Sequence, residues 1–244
     1  MVNLIRRINQ VLDKYDTKMT YFISTYLIEN RPDYHEHFEN HDFAPHGHLH
    51  LDYTIVGKKA ALGDMKNSVL VFKKQNLDPW VFRAPYGLTK IGNNSEIFFE
   101  YEKKLGILYD SSIRAQNPPP HPVKHKCGVT SMPFIGITDD YLIDDLKLNN
   151  NNEILRRFAE TLEFGKNGVL VYDMHPIRMG QAKYIEIFEG LIKKINQKRN
   201  YMLTSLKESF SNFSKKDEDE TLVCFTGDID NLSMIDYFKR FKVF

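Results

Sequence analysis

Apolar positions along this chain follow two rhythms. Val2, Ile5, Ile8, Val11, Leu12 and Tyr15 recur at helical spacing, which predicts an amphipathic helix over residues 2–15. The run Lys18-Met19-Thr20-Tyr21-Phe22-Ile23 follows a short turn and predicts a buried strand. Residues 24–40 are polar and read as a short helix with a loop. Asp42-Phe43-Ala44-Pro45 then leads into His46-Gly47-His48-Leu49-His50, placed at a strand's C-terminal end. A helix is expected from Thr54 to Gln75, and Pro79-Trp80-Val81-Phe82 starts the next strand. Residues 93–104 read as a helix, and Ile107-Leu108-Tyr109 as a short strand ending at Asp110.

Asn117-Pro118-Pro119-Pro120-His121-Pro122 cannot enter regular structure, because proline removes a backbone donor and restricts its neighbour. Residues 113–128 are therefore expected to form a long loop on the site side. A strand near Val129–Pro133 and a helix from Asn152 to Phe164 come next. Gly168-Val169-Leu170-Val171-Tyr172-Asp173-Met174-His175 is the cleanest strand pattern, followed by a helix from Gln181 to Gln197 and a run from Tyr201 to Leu206. The acidic stretch ending in Asp217-Glu218-Asp219-Glu220 reads as a linker over residues 213–220. Thr221 to Thr226 is another buried strand, ending in Gly227-Asp228-Ile229-Asp230; Leu232, Ile235, Phe238 and Phe241 continue as an amphipathic helix.

Strands alternating with helices of this length argue for a mostly parallel α/β sheet or barrel. In such folds functional side chains gather at the C-terminal ends of strands. His46, His50, Arg83, Asp110 and His175 all fall there.

The 244 residues suit one domain, residues 1–244, since (β/α) barrels run to this length. With 42% hydrophobic and 13% aromatic residues, the chain can bury a sizeable core. Its 33 basic and 32 acidic side chains leave a net charge of +1, and no basic patch with interleaved aromatics points to nucleic acid. Cys127 and Cys224 lie too far apart in sequence for a CxxC knuckle and make no disulfide framework, which fits a reducing compartment. The N-terminus is charged too early for a secretory signal, and no apolar run of about 18 residues could span a membrane. The expectation is a soluble, cytoplasmic protein, with a homo-oligomer left open.

Three imidazoles alternate within His46–His50, and Pro45 and Gly47 disfavour a helix there. Neutral imidazole is the commonest side-chain metal ligand, and two of them form half of a zinc site. The plain alternative is a solvated histidine-rich loop. Asp228 and Asp230, two apart on a strand, face the same side; their plain alternative is capping of a following helix. There is no glycine-rich phosphate loop and no G-x-S-x-G elbow, which excludes nucleotide and serine-hydrolase readings.

Taken together, these residues resemble the polysaccharide deacetylases with the NodB homology domain (carbohydrate esterase family 4). Arg83-Ala84-Pro85-Tyr86-Gly87 matches that family's R-x-P-Y-G, and His46 and His50 match its H-x-x-x-H. Thr226-Gly227-Asp228-Ile229-Asp230 is similar to its paired-aspartate strand, and Met174-His175-Pro176 to its histidine-ended strand, with Asp173 in place of the usual leucine. Asp110 stands for the aspartate of a DxxW pattern whose tryptophan is absent. The paired aspartates come first in the family and last here, which reads as a circular permutation joined by the 213–220 linker. The alternative is a fragment whose last strand completes a neighbouring chain.

The resemblance implies a distorted (β/α) barrel of the NodB type, circularly permuted, and a metal-dependent hydrolase of non-peptide C–N bonds. It assigns Asp230, His46 and His50 as ligands of a divalent ion, zinc first with cobalt or nickel as alternatives. Asp228 becomes the base activating a metal-bound water, Arg83 its orienting partner, and the backbone N–H of Tyr86 the oxyanion donor. His175 becomes the acid, oriented by Asp110, and the substrate an N-acetylated sugar. An allantoinase-like hydrolase of a small amide, or a catalytically silent glycan-binding or scaffold member, is the alternative. His48 is expected to face outward, and His35, His37 and His41 to form a solvated surface. His121 and His125 touch substrate or nothing, and Trp80 could line a sugar face.

Overall fold

The computed structural model describes residues 2–31, 34, 37–38, 40–119 and 121–230. In chain order its elements begin with α1 (Val2–Lys14), β1 (Met19–Ile23), α2 (Thr25–Asn30), β2 (Asp42–Pro45), α3 (Lys58–Lys74) and β3 (Val81–Phe82). They continue with α4 (Ser95–Leu105), β4 (Tyr109–Asp110), β5 (Arg114–Ala115), β6 (Val123–Lys124), β7 (Thr130–Ser131), β8 (Phe134–Ile135) and α5 (Asn151–Glu160). The last are β9 (Val169–Asp173), α6 (Pro176–Met179), α7 (Ile185–Asn196), β10 (Tyr201–Leu203), α8 (Leu206–Asn212) and β11 (Thr221–Ile229).

The last strand among the described residues, β11, sits in the middle of the sheet. All but one residue of β11 are buried, as expected of a parallel strand covered on both faces. Leu222 to Thr226 pair with β9, and Phe225 to Ile229 pair with β1, so these two neighbours must flank β11 on opposite sides. β10 pairs with Thr221 to Val223 and therefore shares the β1 side, further down the strand. β1 pairs in turn with β2. The Arg83 amide donates to the Pro45 carbonyl at 3.3 Å, which carries the ring on to β3, then β4 and β7. β8 packs beside β9 and closes it. The result is an α/β barrel, distorted because half of its wall is made of two-residue strands.

The helices lie where their apolar stripes demand. Ile5, Ile8, Val11 and Leu12 of α1 are buried, and they join Phe158 of α5 and Phe188 and Leu191 of α7 in one core with Tyr21, Tyr172 and Phe225. Phe225 lies 5.1 Å from Phe188 and 5.7 Å from Tyr172 between ring centres. A second core under α3 and α4 contains Met65, Val69, Phe82, Phe98 and Phe99.

Several expected boundaries move for local reasons. The helix expected at Thr54 starts at Lys58, because Thr54 is held in a turn by its amide and hydroxyl donating to Asp52 Oδ1. The strand expected over Val129–Pro133 divides into β7 and β8 around Pro133, which has no N–H for a ladder. The 113–128 loop carries the short β5 and β6. The helix expected from Leu232 and His35 lie outside the described residues.

His41 is buried rather than solvated: it accepts a weak bond from the Met19 amide at 3.4 Å, and burial pushes its pKa down to about 4. Trp80 lies at the N-terminal end of β3, away from the strand ends that carry the site, and packs against Phe210 of α8. No helix among the described residues is long and apolar enough to cross a membrane.

Candidate metal centre and active site

His46 follows the last residue of β2, Arg83 the last of β3, and Asp173 ends β9, with His175 two residues on. Asp228 lies near the end of β11 and Asp230 just beyond it. Because β11 runs between β9 and β1, its aspartates arrive beside side chains that are far away in sequence.

Ligand atoms of His46, His50 and Asp230 lie within 4.8 Å of one another. Asp230 Oδ1 is 3.0 Å from His50 Nε2 and 3.6 Å from His46 Nε2. That oxygen is buried, and no donor is aligned on it, which suits a cation better than a hydrogen bond. His46 Nδ1 sits 2.9 Å from the Arg83 carbonyl and so carries the proton, leaving the Nε2 lone pair facing Asp230. Burial, with His50 alongside, pushes the His46 pKa down to about 3, so the ring is neutral at ordinary pH. Burial works against an ionised Asp230, but the neighbouring His50 and His46 hold its carboxyl well below the usual range. Two neutral imidazoles and one carboxylate are a standard three-ligand zinc set with a position left for water or substrate. The residues present fit the ion.

The loop that presents these imidazoles is held from below. Asp64, in the middle of α3, accepts the amides of His48 at 2.9 Å and Leu49 at 2.7 Å and the Tyr53 hydroxyl at 2.8 Å. Gly47 has φ +70°, and a Cβ there would meet Asp64 Oδ2 at 2.8 Å, so the turn needs glycine. His48 turns away to Thr25, at 3.0 Å from its hydroxyl.

Arg83 is completely buried. Its Nη1 donates to Asp173 at 2.5 Å, Thr226 Oγ1 at 2.9 Å and Asp228 at 3.0 Å, and its Nε to the Ser111 carbonyl at 2.8 Å. The other Asp228 oxygen lies 3.4 Å from His46 Nε2, so this carboxylate stands between the guanidinium and the candidate metal ligands. Burial raises the Asp228 pKa, and the Arg83 charge works against that rise. Asp173, buried against the same arginine, is pushed up to about 6 by desolvation and by Asp228.

Across the cavity, His175 Nδ1 is 2.8 Å from Asp139 Oδ1, and the His175 amide also points at that carboxylate. Burial opposes a charged ring, but attraction to Asp139, the bond to it, and Asp173 and Asp228 together raise its pKa well above 6.5. Tyr86 holds φ +61°, a left-handed backbone that costs a non-glycine residue roughly 1–2 kcal/mol. Its ring stands at the mouth, edge-on to His50 at 4.6 Å. His46, His50, Tyr86, His175, Asp228 and Asp230 line one cavity of about 200 Å³.

Of the residues singled out in the sequence, Asp228, His175, Arg83, Tyr86, Asp230, His46 and His50 come together at this cavity. Asp110 does not. Its carboxylate is buried and occupied by Ser112 and by the Ser131 hydroxyl at 2.7 Å, and Asp139 holds the place beside His175. The arrangement adds Asp139, Asp173 and Asp64. Asp139 had a signal, a carboxylate just beyond an apolar strand run; Asp64, one acid within a helical pattern, had none.

The α/β barrel has counterparts among solved structures. Residues 2–109 match the sequence family described as polysaccharide deacetylase. Among solved structures, a protein described as a polysaccharide deacetylase from Mycobacterium smegmatis superposes with TM-score 0.71 at 16% identity, covering 88% of this chain and 77% of its own. Puue allantoinase gives 0.70 at 14% identity, with 86% and 72% covered. A CE4 family pseudoenzyme from Bacillus anthracis gives 0.57 at 13%, with 92% and 65% covered. No curated protein sequence matches the chain. Residues 2–109 are thus similar to the polysaccharide deacetylases, and the chain has the fold of their solved structures.

The support given by Asp64 is open to a direct check. Asp64→Ala releases both loop amides, and zinc affinity measured by calorimetry is expected to fall about 10–100-fold, as for other lost supports of metal ligands. Unchanged affinity would show that the loop holds its shape unaided.

Proposed function

We propose that this protein is a metal-dependent hydrolase of an amide C–N bond, removing the acetyl group from an N-acetylated sugar. The observation that carries the reading is the convergence of His46, His50 and Asp230 with Asp228 on one side and His175 on the other. A divalent ion held there, zinc first with cobalt or nickel as alternatives, would supply Lewis acidity and lower the pKa of water.

The chain's own groups divide the remaining work. Asp228 takes the proton from the attacking water, and Arg83, fixed from two other sides, keeps its carboxylate in register. The Tyr86 backbone N–H, in its strained turn, donates to the oxygen that gains charge; such a donor is typically worth about 2.7–4 kcal/mol. His175, held charged by Asp139, gives its proton to the departing amine as the C–N bond breaks, leaving acetate and the free amino sugar.

A small-amide substrate is the second reading, favoured by the size of the reaction cavity and by the allantoinase among the structural neighbours. Acetate release from chitin oligomers, set against hydrolysis of ureides, separates the two. The approach of Asp228 and Asp230 to His46 and His50 argues against a silent member.

Two outcomes are expected. Chelation should abolish hydrolysis and zinc should restore it; full activity in the metal-free protein would end this reading. His175 acts in its protonated form, so its raised pKa places the alkaline limb of the kcat/KM profile above that of a free imidazole. Asp139→Asn removes the main attraction, and the limb should then move toward lower pH while the acid limb stays. An unmoved limb would mean that another group donates the proton.

We also read the order of motifs as a circular permutation across residues 213–220. Opening the chain within Ser214–Glu220 and joining Phe244 to Met1 through a short flexible linker should give a monomer with the same circular dichroism and zinc affinity. An unfolded product, or a dimer by light scattering, would favour strand exchange instead.

A further inference from the structure

The peptide group between Arg83 and Ala84 is held at both of its polar ends. Its carbonyl accepts the Nδ1 proton of His46 at 2.9 Å, and its N–H donates to the Ser112 hydroxyl at 2.7 Å. A serine hydroxyl has one proton to give, and that of Ser112 goes to Asp110 Oδ2. One line of hydrogen bonds thus runs from the Asp110 carboxylate, through Ser112 and a single peptide group, to an imidazole of the candidate metal centre. The side chains along it are out of solvent: Asp110 and Ser112 are fully buried and His46 is 1% exposed.

The chemistry proposed above makes no use of Asp110, yet this carboxylate is carefully kept. Its Oδ1 accepts the Ser112 amide at 3.0 Å and the Ser131 hydroxyl at 2.7 Å, in addition to the Ser112 hydroxyl on Oδ2. Glu102 of α4 is equally buried and has no donor aligned on either oxygen. Burial first, and then the Asp110 charge, raise the Glu102 pKa well above the usual range, so Glu102 holds the proton and Asp110 the charge. The residue between the two partners is fixed as well. The Ser111 amide donates to Phe82 O at 2.9 Å, and its hydroxyl accepts from Arg83 Nη2 and donates to Met132 O, both at 3.0 Å.

Hydrogen bonds in series polarise one another in a low dielectric. A hydroxyl that donates to a carboxylate is a better acceptor for the Ala84 N–H. That pull leaves more negative charge on the carbonyl of the same peptide, which in turn draws harder on the His46 Nδ1 proton. A stronger bond at Nδ1 fixes the tautomer and makes the Nε2 lone pair a better donor to a cation. We propose that Asp110 is a positioning residue for the metal centre, acting through Ser112 and the Arg83–Ala84 peptide to hold His46 in its ligating tautomer and strengthen its Nε2 lone pair. The role expected from the sequence, orienting His175, is replaced by one toward a ligand. The inference rests on His46 being a metal ligand, as in the reading above.

Three variants carry the test. Ser112→Ala cuts the line, and Asp110→Asn keeps its shape but sets a donor where an acceptor stood. Thr161→Val deletes a fully buried hydroxyl outside the line, one that donates to Phe158 O at 2.6 Å. Zinc affinity is measured by calorimetry, and the His46 Nδ1 proton is followed by NMR in the metal-free protein. Ser112→Ala and Asp110→Asn are expected to lower zinc affinity about tenfold and to move that proton upfield. Thr161→Val should leave both unchanged although it lowers Tm, and Asp110→Asn alone decides if Ser112→Ala does not fold. Wild-type affinity and an unmoved proton in the folded variants would overturn the proposal and leave the metal reading standing. An equal fall in all three would also overturn it, by reducing Asp110 to a general support of the fold. A proton that moves as expected in a protein whose wild type binds no zinc would uphold the line to His46 and remove the metal reading.

Discussion

Everything at the strand ends is arranged around one buried cation. The Arg83 guanidinium lies between the rings of Phe22 on β1 and Phe134 on β8, at 4.1 and 4.5 Å. It reaches Asp173 on β9, Thr226 and Asp228 on β11, and Ser111 beyond β4. Its own carbonyl fixes the His46 tautomer. A charge without water is tolerated only when paired and hydrogen-bonded, and removing one partner of such a pair typically costs about 3–5 kcal/mol. The barrel therefore cannot close in any register that leaves Arg83 unsatisfied. That requirement places the Asp228 carboxylate and the His46 ring together.

The same constraint explains why the chain's late strand must enter the middle of the sheet. Without β11, Arg83 would keep Asp173 but lose the Asp228 carboxylate and the Thr226 hydroxyl, and β9 and β1 would lose their common neighbour. The sequence carried this in readable form, because a strand buried on both faces leaves a continuous apolar run, and aspartates two apart announce a shared face. The imidazole pair and the R-x-P-Y-G turn were equally plain. Gly47 and Tyr86 adopt left-handed backbone, and the residues around such a turn leave little freedom for substitution.

What was less legible is the support beneath the site. Asp64 matters through three bonds made by one carboxylate inside a helix, and helical periodicity says nothing about what a polar position faces. Asp110 ends one short strand and Asp139 lies a few residues beyond another, and spacing alone could not decide which reaches His175. Packing decides: Asp110 is enclosed by Ser112 and Ser131, while Asp139 emerges beyond β8, the strand beside the one that carries His175. Asp173 stood out only as a departure from the usual leucine, and its reason is a second counter-charge for Arg83.

The site then sorts identical side chains into different tasks by environment alone. His46 and His175 are both imidazoles, yet one is pushed down to about 3 and the other raised well above 6.5. The first is buried beside a second imidazole with its Nδ1 on a carbonyl, so it stays neutral and can only donate a lone pair. The second has a carboxylate on its Nδ1 and more carboxylates in front, so it keeps a proton it can release. The aspartates divide in the same way: Asp230, beside the two rings, is held ionised as a ligand should be, while burial makes Asp228 reluctant to stay charged and so ready to accept a proton. The proposed ligand, base and acid are thus separated by what each group touches, and pairs of like residues driven apart in this way are what acid–base chemistry requires and a surface ion network does not.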